Sequence, residues 1–230
     1  EVVGVDLSRA FVSACNTLKE TGEAEYQRPL EGQLTDRMVA RVPASAEQRA
    51  RCTFRVMDAC CLSPDLGTFD CVLLGNLLCR LPSPKACLGR MGGDNGLVKV
   101  GGVLFITTPF TWLEACTPLT SWLGGFVDES SGEPKLSVDG LRDMMSAIGF
   151  EVVDEKALPL IIRETSRKYQ LIAPTATASY SAPSASADAS RGGGPIILLR
   201  AALLWGAWGR TAQGFDAYHS GGAVRVRRAA

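Results

Sequence analysis

Four short apolar runs, each closing on a small polar residue, constrain this chain more than any other feature. "EVVGV" (1–5) gives way to Asp6, and "CTFRVMDA" (52–59) carries Asp58 near its end. "FDCVLLGNLL" (69–78) reaches Asn76, and "GGVLFITTPF" (101–110), launched from a glycine turn, reaches Thr108 and Pro109. Runs of this length, rich in aliphatic residues and bounded by turn residues, read as strands, and the unbroken third run suits a strand covered on both faces. Helical periodicities lie between them. Phe11, Ala14, Cys15 and Leu18 recur at i, i+3, i+4, i+7 from Ser8 to about Glu20, and a Pro-start helix is expected around Ser83 to Met91. Leu141, Met144, Met145 and Ile148 stripe residues 137–150, where Gly149 can take the left-handed C-terminal conformation. "FEVVDEKAL" and "KYQLIAPTATA" then read as two closing strands. Strands alternating with helices predict an α/β fold with a doubly wound, mostly parallel sheet, whose ligands bind beyond the carboxyl ends of the strands. Asp6, Asp58, Asn76 and Thr108 all stand at those ends.

The length of 230 residues and 46% hydrophobic content suit one α/β domain with a tail. Lysine plus arginine equals aspartate plus glutamate at 24 each, so no overall positive field gathers nucleic acid or an anionic membrane, and a small molecule is the expected partner. The eight cysteines, at 15, 52, 60, 61, 71, 79, 87 and 116, lack paired CxxC spacing and sit in apolar stretches, so they read as reduced thiols, with vicinal Cys60 and Cys61 the first candidates for a functional pair. No metal site is expected. No secretory leader opens the chain and no apolar run reaches the ~20 residues that span a bilayer, which makes a cytoplasmic protein the expectation. Residues 22–50, polar and broken by prolines, read as an elaborated crossover or a surface insertion rather than a core element. Beyond about Pro174 the composition turns to Ala, Ser, Thr, Pro and Gly, which bury too little apolar surface to offset ordering entropy. A globular domain over 1–180 and a linker with a poorly ordered tail over 181–230 follow. "PIILLRAALLWGAW" (195–208), interrupted by Arg200, is expected to dock loosely or to have no selected fold.

A carboxylate at the end of such a strand can accept hydrogen bonds from both ribose hydroxyls, the place Asp6 holds. Asp58 in "MDAC" is suited to an adenine amino group, with the following backbone N–H meeting a ring nitrogen. Either aspartate alone could simply cap the next helix; two at successive strand ends favour a nucleoside site. The order VVGVD, a strand ending Asp-Ala, FDCVLLGNLL, GGVLFITTP, a helix and two final strands resembles the class I S-adenosylmethionine-dependent methyltransferases over about residues 1–180. The resemblance implies a Rossmann-like sheet whose last strand runs antiparallel, S-adenosylmethionine as cofactor, and a cofactor-binding set of Asp6, Leu7, Asp58, Ala59, Asn76 and Leu77.

Three further stretches, "NLLCRLPSP", "TTPFTWLEACTPLTSWLGG" and "PLIIRETSRKYQ", are similar to the C-terminal methyltransferase domain of bifunctional ovothiol-biosynthesis proteins. That resemblance implies methylation of a ring nitrogen of 5-thiohistidine (4-mercaptohistidine), with an iron-dependent sulfoxide synthase as an upstream fused or separate partner and no iron on this chain. Asn76 would orient the acceptor nitrogen, Phe110 and Trp112 would wall its ring, and Arg80 or Arg163 would pair with its carboxylate. Trp112 could equally be a packing residue and Arg163 part of a charged face. The reaction would be in-line attack by a neutral nitrogen on a sulfonium methyl, driven by positioning and desolvation, with no strong base. The single histidine, His219, falls in the tail. A generic small-molecule methyltransferase, a nicotinamide-dependent oxidoreductase and a binding or relic domain without catalysis are the alternatives, and an antiparallel closing strand speaks against the oxidoreductase.

The resembling family places a first strand and a glycine-rich turn just before the strand that opens this chain. "GGDNG" (92–96) follows a helix and precedes a strand, the wrong context for that turn. The expectation is therefore a polypeptide truncated at its N-terminus, with a vacant central position between "EVVGV" and "FDCVLLGN" that leaves backbone groups unpaired. Such a chain would be unstable and would bind the cofactor weakly.

Overall fold

A computed structural model describes residues 1–181 and 194–200. In chain order these form β1 (Val2–Asp6), α1 (Arg9–Thr21), β2 (Glu23–Glu31), β3 (Leu34–Arg41), α2 (Ala46–Ala50), β4 (Cys52–Val56), β5 (Phe69–Gly75), α3 (Pro84–Gly89) and β6 (Val98–Thr108). There follow β7 (Phe126–Val127), β8 (Pro134–Lys135), α4 (Ser137–Ala147), β9 (Phe150–Ala157), β10 (Leu160–Arg163), β11 (Tyr169–Ile172), β12 (Thr175–Ser181) and β13 (Ile196–Arg200). Seven strands make the central sheet in the order β4-β1-β13-β5-β6-β12-β9. Neighbours from β4 to β6 are parallel, and β12 runs antiparallel to both β6 and β9. This is the Rossmann-like, mostly parallel α/β sheet with one antiparallel strand.

Alternation along the inner strands builds the core. Val72 and Leu74 of β5, Leu104 and Ile106 of β6, and Ile197 and Leu199 of β13 are buried, and Leu88, Met91, Leu141 and Met145 from the helical layer join them. In α4 the expected stripe holds, with Leu141 and Met145 buried and Gly149 left-handed at φ 82°. In α1 the stripe is rotated by one residue: Val12 is its buried centre and Ala14 faces solvent. Ser8 caps that helix through Phe11 N–H, 3.3 Å from its hydroxyl.

Residues 23–41 form an antiparallel hairpin, β2–β3, a two-stranded sheet apart from the central one and without a fully buried residue, which agrees with a surface insertion; exposed and half-buried residues alternate along the first part of β2. Other expectations are corrected. "KYQLIAPTATA" is two elements, because β11 closes a hairpin with β10 before the chain turns into β12. β6 begins at Val98 rather than Gly101, and its two glycines carry a register shift against β5 between Phe69 and Cys71. Gly92 of "GGDNG" is a packing glycine: a Cβ there would stand 2.3 Å from Ile148 O. Most consequential, the central position expected to be vacant is filled. β13, from the segment expected to dock loosely or not fold, lies between β1 and β5 and pairs in parallel with both. His219 and the remainder of the tail lie outside the described residues.

Candidate functional site

Strand register brings four of the expected residues to one rim. Val5 pairs with Leu199, Leu199 with Leu74, and Leu74 with Ile106, so Asp6, Gly75 and Thr107 all lie one step further toward the carboxyl end. Asp6 and the β5 terminus are two strand spacings apart, roughly 10 Å, with the end of β13 between them. Asp6 Oδ1 accepts from Ser8 N–H at 2.8 Å, which turns the chain into α1 and leaves Leu7 exposed. On the outer side Asp6 pairs with Val56 of β4, and Met57 N–H donates to Asp6 O at 3.1 Å. Asp58 lies two residues past β4, exposed, with Oδ1 accepting from Cys60 N–H at 2.8 Å, while Ala59 is buried beneath it. Each carboxylate thus accepts a local backbone N–H that shapes the turn after its strand.

Asn76 carries an unusual geometry at the rim. It follows β5 at φ 51°, a left-handed conformation that asparagine tolerates better than other non-glycine residues. Its N–H donates to Thr107 O at 2.8 Å and meets Thr107 Oγ1 at 3.1 Å, which pins the turn to β6. Among the described residues its buried Oδ1 has no hydrogen-bond partner. A buried acceptor left unpaired costs about 1–3 kcal/mol, so this oxygen has capacity for a donor. Across the strand pair, Phe110 follows β6 at φ 50°, a genuine outlier for an aromatic residue, with its N–H donating to Thr108 Oγ1 at 3.2 Å. Paired strain at the ends of two adjacent parallel strands is typical of functional rims. Leu77, the next residue, is buried in the core, so only its backbone faces the rim.

The remaining candidates take up different roles. Arg80 is buried, and its guanidinium donates to Thr111 O, to Thr111 Oγ1 at 3.2 Å and to Cys79 O at 2.9 Å. It fastens the turn after β6 to the turn after β5. Trp112 stacks on Trp122 with ring centroids 5.9 Å apart and donates to Ser137 Oγ at 2.8 Å, while Trp122 donates to Thr117 O at 2.8 Å. The two tryptophans stiffen the 110–124 segment, and of the expected aromatic wall Phe110 alone holds the rim position. Arg163 ends β10, on the hairpin after β9 at the far edge of the sheet, where it donates to Tyr169 Oη at 2.6 Å and lies 5.0 Å over that ring. It is not gathered with Asn76 and Phe110. Arg80's clamping role and the hairpin of residues 23–41 escaped the sequence, and only the alternation of 23–31 could have signalled the latter.

Burial pushes the Cys60, Cys71 and Cys87 thiols above their ordinary value, most strongly Cys87, so they are neutral near pH 7 and none is a ready nucleophile. All eight cysteines are free thiols. Among the described residues no group of three or more His, Cys, Asp or Glu could hold a metal ion, and no helix is long and apolar enough to cross a membrane.

No protein-family model matches the chain, and no curated protein sequence matches it. Solved structures do. A SAM-dependent methyltransferase from Methanosarcina mazei is similar at 16% identity, covering 79% of this chain and 82% of that one with a TM-score of 0.46. The [4+2]-cyclase SpnF is similar at 14% identity, 80% and 68% coverage and a TM-score of 0.46. The YcgJ protein from Bacillus subtilis is similar at 10% identity, 79% and 82% coverage and a TM-score of 0.43. The sheet order stands on its own strand pairing, independently of these loose likenesses.

Proposed function

We propose that this chain is an S-adenosylmethionine-dependent methyltransferase acting on a nitrogen of a small molecule, with the imidazole of 5-thiohistidine as the acceptor. The observation that carries the reading is the rim itself: two carboxylates at the ends of β1 and β4, and two strands away a buried, unpartnered Asn76 Oδ1 beside a strained Phe110. Asp6 would take the ribose hydroxyls, and Asp58 with the adjoining Ala59 backbone would take the adenine edge. Both fit by position, at or just past the carboxyl ends of adjacent parallel strands, where sheets of this kind bind their ligands. The cofactor supplies an electrophilic methyl group. Asn76 Oδ1 accepts a hydrogen bond from an N–H of the acceptor ring and so turns the opposite, unprotonated nitrogen toward that methyl. Phe110 covers the ring face and keeps water away. Arg80 acts through the loop it clamps. Among the described residues there is no histidine, and positioning rather than base catalysis is what these rim residues offer.

The antiparallel β12 favours this reading over hydride transfer by a nicotinamide enzyme. The 5-thiohistidine assignment rests on the sequence resemblance, supported by an acceptor oxygen suited to an imidazole N–H. Calorimetric titration with S-adenosylhomocysteine tests the cofactor, and methyl transfer to 5-thiohistidine, histidine and histamine tests the acceptor. Binding that weakens roughly tenfold in Asp6→Asn, which keeps the Ser8 bond but loses a charge-assisted pair, is expected. A chain that binds NADH and not S-adenosylhomocysteine sinks the reading.

A further inference from the structure

We propose that the groove between β1 and β5 is a strand-acceptor site, filled by Ile196–Arg200 of the same chain, and that cofactor binding depends on this strand being in place. The second clause rests on the methyltransferase reading; the first does not. Among the described residues β13 alone joins, within the sheet, two half-sheets: β4-β1, which carries Asp58 and Asp6, and β5-β6-β12-β9, which carries Asn76 and Phe110. The nucleoside half of the rim and the transfer half are therefore held in register by a segment that lies about 190 residues from β1 in sequence.

The segment fits its groove closely. Val2 to Val5 pair with Ile196 to Leu199 on one side, and Cys71 to Gly75 pair with Ile196 to Arg200 on the other. Ile197 and Leu199 are 0% and 1% exposed, whereas Ile196 and Leu198 are each 36% exposed, so one face of the strand enters the core and the other stays half covered. The entry is pinned as well. Asp70 N–H donates to Pro195 O at 2.9 Å and Ile196 N–H donates to Glu1 O at 2.9 Å. Gly194 lies against the Asp70 carboxylate with no room for a Cβ, and Lys99 holds that carboxylate at 2.9 Å.

The connection permits insertion from this chain without crossing the rim. β12 is antiparallel, so its end at Ser181 and the start of β13 lie at the same, amino-end side of the parallel strands. They are three strand spacings apart, about 14 Å, and the intervening residues 182–195 could reach roughly three times that if extended. Because a ligand that touches both half-sheets favours the state with the strand inserted, strand occupancy and cofactor binding are thermodynamically reciprocal.

The test uses the full chain carrying a specific protease site within residues 182–193. After cutting, the fragment that starts with β13 is expected to stay bound through gel filtration, and S-adenosylhomocysteine is expected to slow its exchange with a labelled peptide of residues 194–200 at least tenfold. In the uncut chain, hydrogen exchange is expected to protect the amides of β1, β13 and β5 together. Leu199→Asp is expected to remove protection in all three strands and to weaken S-adenosylhomocysteine binding at least tenfold, while Leu198→Thr does neither. Loss of the fragment on cutting, or β1 and β5 amides protected equally when β13 amides are not, overturns the strand assignment. Exchange of the segment between two differently labelled copies, with dimers on gel filtration, overturns its supply from within the chain. An exchange rate indifferent to bound S-adenosylhomocysteine overturns the coupling. Joint protection of the three strands in a chain that binds no S-adenosylhomocysteine overturns the methyltransferase reading and leaves the strand assignment standing.

Discussion

Asn76 shows how one residue can serve backbone and chemistry with separate demands. Its φ of 51° favours glycine or asparagine, while its buried, unpaired Oδ1 is useless to the fold. Asn76→Gly separates the two. The backbone keeps its conformation and the unsatisfied acceptor disappears, so thermal stability should hold or rise slightly while methyl transfer drops about tenfold, the worth of a positioning hydrogen bond of ~1.5 kcal/mol. Equal turnover in the glycine variant would remove Asn76 from the reaction. The position of Asn76 at a strand end was legible in the sequence; its torsion and its orphaned oxygen were not, since both depend on how β6 approaches. Arg80 is the converse case. A basic residue near a rim suggests a ligand, but Thr111, 31 residues away, takes its hydrogen bonds. The buried thiols lead to a pH prediction. A Cys87 thiol whose folded pKa lies above its ordinary value of 9.0 stays protonated in the folded protein while the unfolded chain ionises. Its contribution to stability is complete below about pH 9 and falls as pH rises beyond that, with Cys60 and Cys71 adding in the same direction. Urea midpoints measured from pH 7 to 10.5 should decline above pH 9, and Cys87→Ala should flatten part of that decline.

At the scale of elements, close approach overrides local propensity. Gly140 sits inside α4, where alanine would favour the helix by about 1 kcal/mol. A Cβ there would meet Leu123 O at 1.7 Å, a backbone atom that cannot swing aside. The clash outweighs the propensity, so Gly140→Ala should destabilise the protein by roughly 2–3 kcal/mol net, read from denaturant midpoints; a neutral result would show that α4 lies further from the 119–124 turn. α1 and α4 were legible because their apolar stripes are long and α3 because of its proline start, whereas the five-residue α2, capped by Ser45, lay unread inside residues 22–50. The β2–β3 hairpin was harder to see because its faces are separated by half-burial rather than by apolar against polar residues. Its charges make cross-strand pairs, Arg28 with Asp36, Arg37 with Glu25 and Arg41 with Glu23, each worth little at an exposed surface but consistent with one register. Its tip reaches the tip of β10–β11, where Ser166 N–H donates to Pro29 O at 3.2 Å and Arg167 pairs with Glu31 at 3.3 Å. No local pattern announces a contact between segments some 135 residues apart.

Across the whole molecule, chain order and spatial order part company at β13. Reading strands one after another predicted the parallel sheet correctly but left its centre vacant, because an aliphatic run following a low-complexity stretch carries no signal of which groove it will enter. What it supplies is two fully buried side chains and a backbone ladder on either side, without which β1 and β5 would hold unpaired groups in the interior. The two faces of β13 should therefore respond differently to truncation. Leu199, 1% exposed and among Leu74 and its neighbours, should cost about 2–4 kcal/mol on replacement by alanine, the usual range for a leucine lost from a close-packed core. Leu198, on the half-covered face at 36% exposure, should cost no more than about 1 kcal/mol. Urea unfolding of the full chain measures both. Equal costs would place β13 on the surface of the sheet rather than in its centre, and a larger cost at Leu198 would mean that the strand is inserted one residue out of register, since a shift of one residue exchanges its faces.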